Sequence, residues 1–377
     1  MSLMNPELKT WVEIDRKSIS HNFKILKSQL KPGVKFFSVV KSNAYGHGLI
    51  DFSKIVDDLG IDGFCVDSVI EGAKLREEYI KKPVLVLGPT LSSLFYKALD
   101  NNITITVSNW ESLRSLKQSK YKPNFHLKID TGMRRQGFYI EDIPKVIQFI
   151  KQSRLESYLR GVYTHFASAK DINYPTFTDL QFQKFNKTLN LLAKAGFKKI
   201  LRHASATGGV LINKKYNLDA VRIGIGLYGF WPSKELGVQK ESIKLALKPV
   251  LSWRALISEI KLLKAGDYIG YDLVERVYKD EKVAVVPIGY WHGFPRLLSG
   301  IGSVLVNGRR ARVLGRVSMD LISIDVTDIK CKVGDIATIV GARNKESISA
   351  YEIAGKVGTS HYEIVTRINP LIERIIK

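Results

Sequence analysis

Val34-Lys35-Phe36-Phe37-Ser38-Val39-Val40-Lys41-Ser42-Asn43-Ala44-Tyr45-Gly46-His47-Gly48 opens as a strand and closes as a glycine-bearing turn. Its first seven residues, mostly β-branched or aromatic, suit a strand covered on both faces. Lys41 stands where that strand ends. Outward from it, similar runs recur at residues 62–66, 84–87, 103–107, 125–130, 161–165, 200–203 and 220–224. Between them lie segments of helical periodicity, among them 68–76 and 179–194. Strand-then-helix alternation requires parallel strands joined by helical crossovers. Eight such units predict a (β/α)8 barrel of the TIM type. No G-x-G-x-x-G follows the first strand, which argues against an open dinucleotide-binding sheet.

Beyond residue 245 the pattern changes. Runs at 250–263, 282–288, 302–306, 311–314, 322–326 and 336–340 read as strands joined by turns that contain Gly, Asn and Asp. Asn307-Gly308 is a hairpin signal, since both residues readily take positive φ. One helical stretch, 349–357, interrupts the strands. The chain is therefore expected to divide into residues 1–245, an α/β barrel carrying Lys41, and residues 246–377, a mostly β domain. An early strand at 11–15 precedes the barrel and can join the β domain.

The 377 residues, 45% of them hydrophobic, suffice to bury a sizeable core. No apolar run approaches the roughly 20 residues of a membrane-spanning helix. Residues 1–7 lack the basic and then apolar regions of a secretory signal, so a cytoplasmic protein with no membrane partner is expected. Cys65 and Cys331 lie far apart in strand-like surroundings and read as buried free thiols, with no metal site. The formal charge of +22 is spread along the chain, as in Lys24, Lys54, Lys81, Lys151 and Lys184, without a basic arm or an RNA-binding signature. It reads as a solvated basic surface, and no nucleic-acid partner is expected.

In a (β/α)8 barrel the chemistry sits where strands end and βα loops begin. Lys41 follows the first strand, His165 closes 161–165, and Arg222 follows Ala220-Val221. Lys128 lies within 125–130, and Arg135 is in the loop beyond it. Alone, each reads as an ordinary surface or strand residue. Converging on one mouth, four cations and a histidine would hold an anionic cofactor.

The run Val39–Gly48 resembles the cofactor-attachment signature of the alanine racemases. Further blocks follow in that family's order: His126-Leu127-Lys128-Ile129-Asp130-Thr131-Gly132-Met133, then Tyr163-Thr164-His165-Phe166-Ala167. Next come Val221-Arg222-Ile223-Gly224-Ile225-Gly226-Leu227-Tyr228-Gly229, Pro287-Ile288-Gly289-Tyr290 and Gly315-Arg316-Val317-Ser318-Met319-Asp320. The resemblance spans nearly the whole chain. It implies a barrel plus a β domain, pyridoxal 5'-phosphate as cofactor, and a homodimer whose active sites are completed across the interface. The implied reaction interconverts L- and D-alanine and supplies D-alanine for cell-wall peptidoglycan. A racemase of broader range, acting on serine or lysine, stays open. So does a non-catalytic pyridoxal-phosphate-binding protein, although that type lacks the long β domain.

On the family's pattern Lys41 is the cofactor lysine and the base on the D-face. Tyr271 of the partner subunit is the second base; a phenol pKa of about 10 is high for that work, so nearby cations must stabilise the phenolate. Arg222 meets the pyridine nitrogen, and His165 bonds that arginine. Arg135 meets the substrate carboxylate, which the backbone N–H of Met319 reaches from the other subunit. Lys128 matches a lysine that is carbamylated in some members. Tyr45, Thr207, Tyr362 and the backbone of Gly224 and Ile225 hold the phosphate. Departures from the pattern are Ala206 and Thr207 for a frequent asparagine and serine, Arg134 for a glycine, and Ser318 for a cysteine. Gly289-Tyr290-Trp291-His292-Gly293 replaces Gly-Tyr-Ala-Asp-Gly. These changes leave the proton-transfer residues intact and bear on substrate range and entrance shape.

Overall fold

After strand β1 (Thr10–Ile14), eight parallel strands close into a barrel. They are β2 (Lys35–Val39), β3 (Gly63–Val66), β4 (Val84–Val86), β5 (Ile103–Val107), β6 (Phe125–Lys128), β7 (Leu159–Tyr163), β8 (Leu201–Ala206) and β9 (Ala220–Ile223). The ring closes where β9 pairs with β2, from Lys35 opposite Ala220 to Ser38 opposite Ile223. Every residue of β3, β4 and β6 is buried, as strands covered by helices on one side and filled by side chains on the other must be. The computed structural model describes residues 8–171, 175–242 and 245–377. Residues 1–7, read above for a secretory signal, lie outside the described residues.

The crossover helices start where the local chemistry directs. Ser68 Oγ accepts the Glu71 N–H and caps the helix Val69–Glu77, and Asn109 Oδ1 caps Trp110–Gln118 through the Ser112 N–H. The long helix Thr176–Lys194 buries Gln181, Phe185, Thr188 and Leu192.

The chain groups into two units. One holds residues 18–44 and 49–248, and so the barrel; the other holds 45–48 and 249–377 together with the chain up to Lys17. In the second unit the described residues form a ten-stranded sheet. β1 belongs to it, antiparallel to Leu251–Leu256 and parallel to Glu373–Ile376. Asn307 and Gly308 take φ of 50° and 81° in a two-residue hairpin that sets Val306 opposite Arg309.

Two expectations for this unit are corrected. The run 250–263, read as one strand, is two: Leu251–Leu256 pairs with Ile336–Arg343, and Glu259–Leu263 pairs with Glu281–Val286. Between them Ile257 N–H donates to the Asp335 carbonyl and Ser258 N–H to the Val285 carbonyl, so the chain exchanges one neighbour for another. The single expected helix, observed at Ala350–Val357, is followed by a second, His361–Thr366, and by the strand Glu373–Ile376. Six residues are too few for a periodic signal. Both cysteines are free thiols; Cys65 is buried, but Cys331 is only half-buried. Among the described residues no helix is long and apolar enough to cross a membrane.

Candidate active site

β2 ends at Val39, and Lys41 begins a left-handed turn in which Ser42, Asn43, Ala44 and Tyr45 have φ between 51° and 56°. Each such L-residue costs about 1–2 kcal/mol, so the turn needs support. Glu71 provides it: Oε1 accepts the Ser42 N–H and Oε2 the Asp67 N–H, both at 2.7 Å. Asn43 Oδ1 accepts the Leu49 N–H at 2.8 Å. Lys41 is thereby set, half-buried, at the C-terminal mouth of the barrel. Backbone strain held in place this way is characteristic of functional sites.

Arg222, on β9, is buried. Its guanidinium donates to the carbonyls of Thr164 at 2.7 Å and Ala204 at 2.9 Å, and to His203 Nδ1 at 2.5 Å. His165 Nδ1 is more distant, at 3.4 Å. The nearer imidazole partner is therefore His203, to which the sequence reading assigned no role. Its signal was available: a histidine inside a barrel strand, beside a strand that carries an inward arginine. Arginine can only donate, so His203 accepts at Nδ1 and carries its proton on Nε2. That proton is donated to His126 Nδ1 at 2.9 Å. The Tyr163 ring stacks on His203 and lies 4.9 Å from the Arg222 guanidinium.

Lys128, buried on β6, donates to Gln136 Oε1 at 2.9 Å. Burial, then Arg135 and Arg222, push its amine down to about 8. Burial, followed by Arg222, Lys128, Arg135 and Lys41, holds His165 well below the ordinary imidazole range, so it is neutral at pH 7. The Asp130 carboxylate accepts the N–H groups of Gly132, Arg134 and Arg135 at 2.8–3.1 Å and so shapes the loop that carries Arg135. Arg134 takes φ 58°, a conformation that favours the glycine it replaces in the family pattern. At the end of β8, Thr207 Oγ1 accepts the N–H groups of Gly224 at 3.3 Å and Gly226 at 3.4 Å, which gathers Thr207, Gly224 and Ile225. Three cations, Lys41, Lys128 and Arg135, thus share one mouth with the buried Arg222 guanidinium, whose hydrogen-bond partners among the described residues are all uncharged. Such a donor set fits an anionic, phosphate-bearing cofactor with a neutral ring nitrogen.

The remaining expected residues belong to the β unit. The rings of Tyr45 and Tyr362 lie 6.2 Å apart, and burial pushes the Tyr362 phenol up to about 12. Tyr271 is 67% exposed and opens a turn with positive φ at Gly270, Asp272 and Leu273. Asp272 pairs there with Arg316 at 3.2 Å. Met319 is exposed, and its carbonyl accepts the Trp291 N–H at 3.0 Å.

Comparison with known proteins gives a consistent result over the whole chain. Residues 14–232 match the alanine racemase N-terminal domain, and residues 250–376 match the alanine racemase C-terminal domain. The alanine racemase of Leptospira interrogans is 36% identical over 381 aligned residues, covering 100% of this chain and 97% of that protein. That of Methanococcus maripaludis is 38% identical, covering 97% and 98%. Among solved structures, the alanine racemase of Bacillus anthracis with bound L-Ala-P superposes with a TM-score of 0.91 at 32% identity, over 98% of this chain and 95% of that one. Two domain matches and full-length relatives above 30% identity leave one assignment: the chain is an enzyme of the alanine racemase family.

Proposed function

We propose that the chain racemises alanine with pyridoxal 5'-phosphate, using Lys41 on one face of the substrate and Tyr271 of the partner subunit on the other. The observation that carries this reading is the buried Arg222 guanidinium, which has no carboxylate partner among the described residues, at a mouth shared with Lys41, Lys128 and Arg135. Pyridoxal phosphate, when bound, supplies an electron sink that makes the α-proton of an attached amino acid removable.

Lys41 would anchor the cofactor and move the α-proton on the D-face. For this it must spend part of the cycle as a neutral amine. Arg222 would meet the pyridine nitrogen. Because arginine does not readily give up a proton, Arg222 would leave that nitrogen unprotonated and so keep the sink weak, which would limit side reactions such as transamination. Its place is held by His203 and by the Thr164 and Ala204 carbonyls. Thr207 and the backbone of Gly224 and Ile225, with Tyr45 and Tyr362, would hold the phosphate. Arg135 would take the substrate carboxylate, with Lys128 beside it as the candidate for carbamylation, which requires a neutral amine. The depressed pKa of Lys128 supports that assignment.

One base returning its own proton would preserve configuration, so racemisation needs the second base. Tyr271 is exposed in the β unit, as are Leu273, Val274, Tyr290, Trp291 and Met319. Apolar exposure of this kind supports a subunit interface, and hence a homodimer with shared sites. The product, D-alanine, would serve cell-wall peptidoglycan in the cytoplasm. The test is the visible absorbance of the purified protein, together with a D/L assay over alanine, serine and lysine. Absorbance from lysine-bound cofactor that disappears in Lys41→Ala, with alanine turned over fastest, is expected. A colourless protein that cannot be reconstituted with pyridoxal phosphate would refute the proposal.

A further inference from the structure

The N-terminal mouth of the barrel, at the strand ends away from Lys41, opens into a cavity of about 730 Å³, within the roughly 300–1,000 Å³ of small-molecule sites. Its rim comes from the starts of the strands. Lys35 opens β2, Lys81 precedes β4, Arg160 lies near the start of β7, and Lys198 and Lys199 precede β8. Among the described residues one carboxylate lines the cavity, that of Asp219, and Arg202 engages both its oxygens at 2.7 Å. The five other cations have no ion-pair partner among the described residues. Cations gathered around a concavity repel one another and concentrate small anions.

The floor adds a second observation. It is apolar at Phe37 and Leu85, and it includes His126, which is 5% exposed. The imidazole packs into the space left by Gly161, where a Cβ would lie 2.6 Å from Nε2. His126 Nδ1 accepts from His203, so its own proton is on Nε2. That Nε2–H has no hydrogen-bond partner among the described residues, and it lies in a cavity whose rim carries the cations. Burial, aided by Arg222, pushes this imidazole down to about 3, so it is a neutral donor.

We propose that this mouth is a binding site for a small metabolite carrying at least two phosphate groups. The rim cations take the phosphate oxygens, the apolar floor takes the body of the molecule, and His126 Nε2–H is the deepest donor. Lys and Arg on such a rim match an array of phosphate oxygens better than a single carboxylate does. The hydrogen-bonded chain His126–His203–Arg222 runs from this floor to the opposite mouth.

The test uses inorganic tripolyphosphate as the probe, titrated calorimetrically into the full-length protein at fixed ionic strength. One saturable site per chain is expected, weakened about tenfold or more by Lys81→Gln, Lys198→Gln and Lys199→Gln together. These side chains are exposed, so the fold should survive their loss. The triple variant Lys145→Gln, Lys151→Gln and Lys187→Gln, elsewhere on the barrel unit, should bind as the parent does. In a histidine-labelled sample the His126 ring resonances should shift on saturation. Equal weakening in both triple variants, an unmoved His126, or displacement by duplex DNA at equal phosphate concentration would overturn the proposal. The last result would mark the mouth as a general polyanion surface.

Discussion

His203 decides how Arg222 is held, and it does so as an acceptor. Replacing it with leucine leaves a buried guanidinium N–H without a partner, which costs about 1–3 kcal/mol. His203→Leu should therefore unfold at lower urea concentration and racemise more slowly, whereas His203→Asn, which keeps an acceptor, should recover part of both. Lys128 makes a second prediction at this scale. Its folded pKa of about 8 lies below the ordinary 10.5. Between those values the unfolded chain holds a proton that the folded chain has released, so stability from this group rises with pH across that window. Below pH 8 the buried ammonium is a constant penalty. The urea stability of Lys128→Met relative to the parent should thus be most favourable at pH 7 and decline as pH rises from 8 towards 10.5. A flat difference would instead indicate a modified, anionic Lys128, which ¹³C NMR with labelled bicarbonate would detect directly.

At the scale of elements, the left-handed turn after β2 joins the strand to the site. Four consecutive L-residues with positive φ are not a local preference of Ser, Asn, Ala or Tyr. Glu71, on the next crossover helix, holds the turn by accepting from both Ser42 and Asp67. Hydrogen bonds to a charged group are worth about 1.5–3 kcal/mol, and Glu71 is only half-buried, so Glu71→Ala should cost about 2 kcal/mol. Because Lys41 begins the turn, the variant should also bind pyridoxal phosphate less tightly, as read by dialysis and absorbance, while Glu71→Gln should be milder. The strand break at Ile257 and Ser258 has a similar origin. Nothing in an unbroken apolar run marks the point at which its hydrogen-bond partner changes.

At the scale of the whole molecule, the proposed division of labour between Lys41 and Tyr271 predicts complementation. Lys41→Ala and Tyr271→Ala homodimers should each be inactive. Random subunit exchange between them should restore about a quarter of the parental sites, since half the dimers are mixed and each mixed dimer has one intact site. No recovery after exchange demonstrated by mass spectrometry would assign both bases to one chain. The sequence alone was enough for the order and type of the barrel elements, because buried parallel strands and crossover helices carry their periodicity in every few residues. It was enough to place Lys41 at the end of a barrel strand as well, since the lysine closes a run of distinctive composition. Only the tertiary structure decided the His126–His203–Arg222 chain, the support of the turn by Glu71, the strand Glu373–Ile376 beside β1, and the cationic cavity at the barrel's N-terminal mouth. The physical reason is common to them. Each depends on closure of a ring or sheet that sets side by side residues far apart in the chain, and hydrophobic periodicity reports which face of an element is buried, not which residue it will meet there.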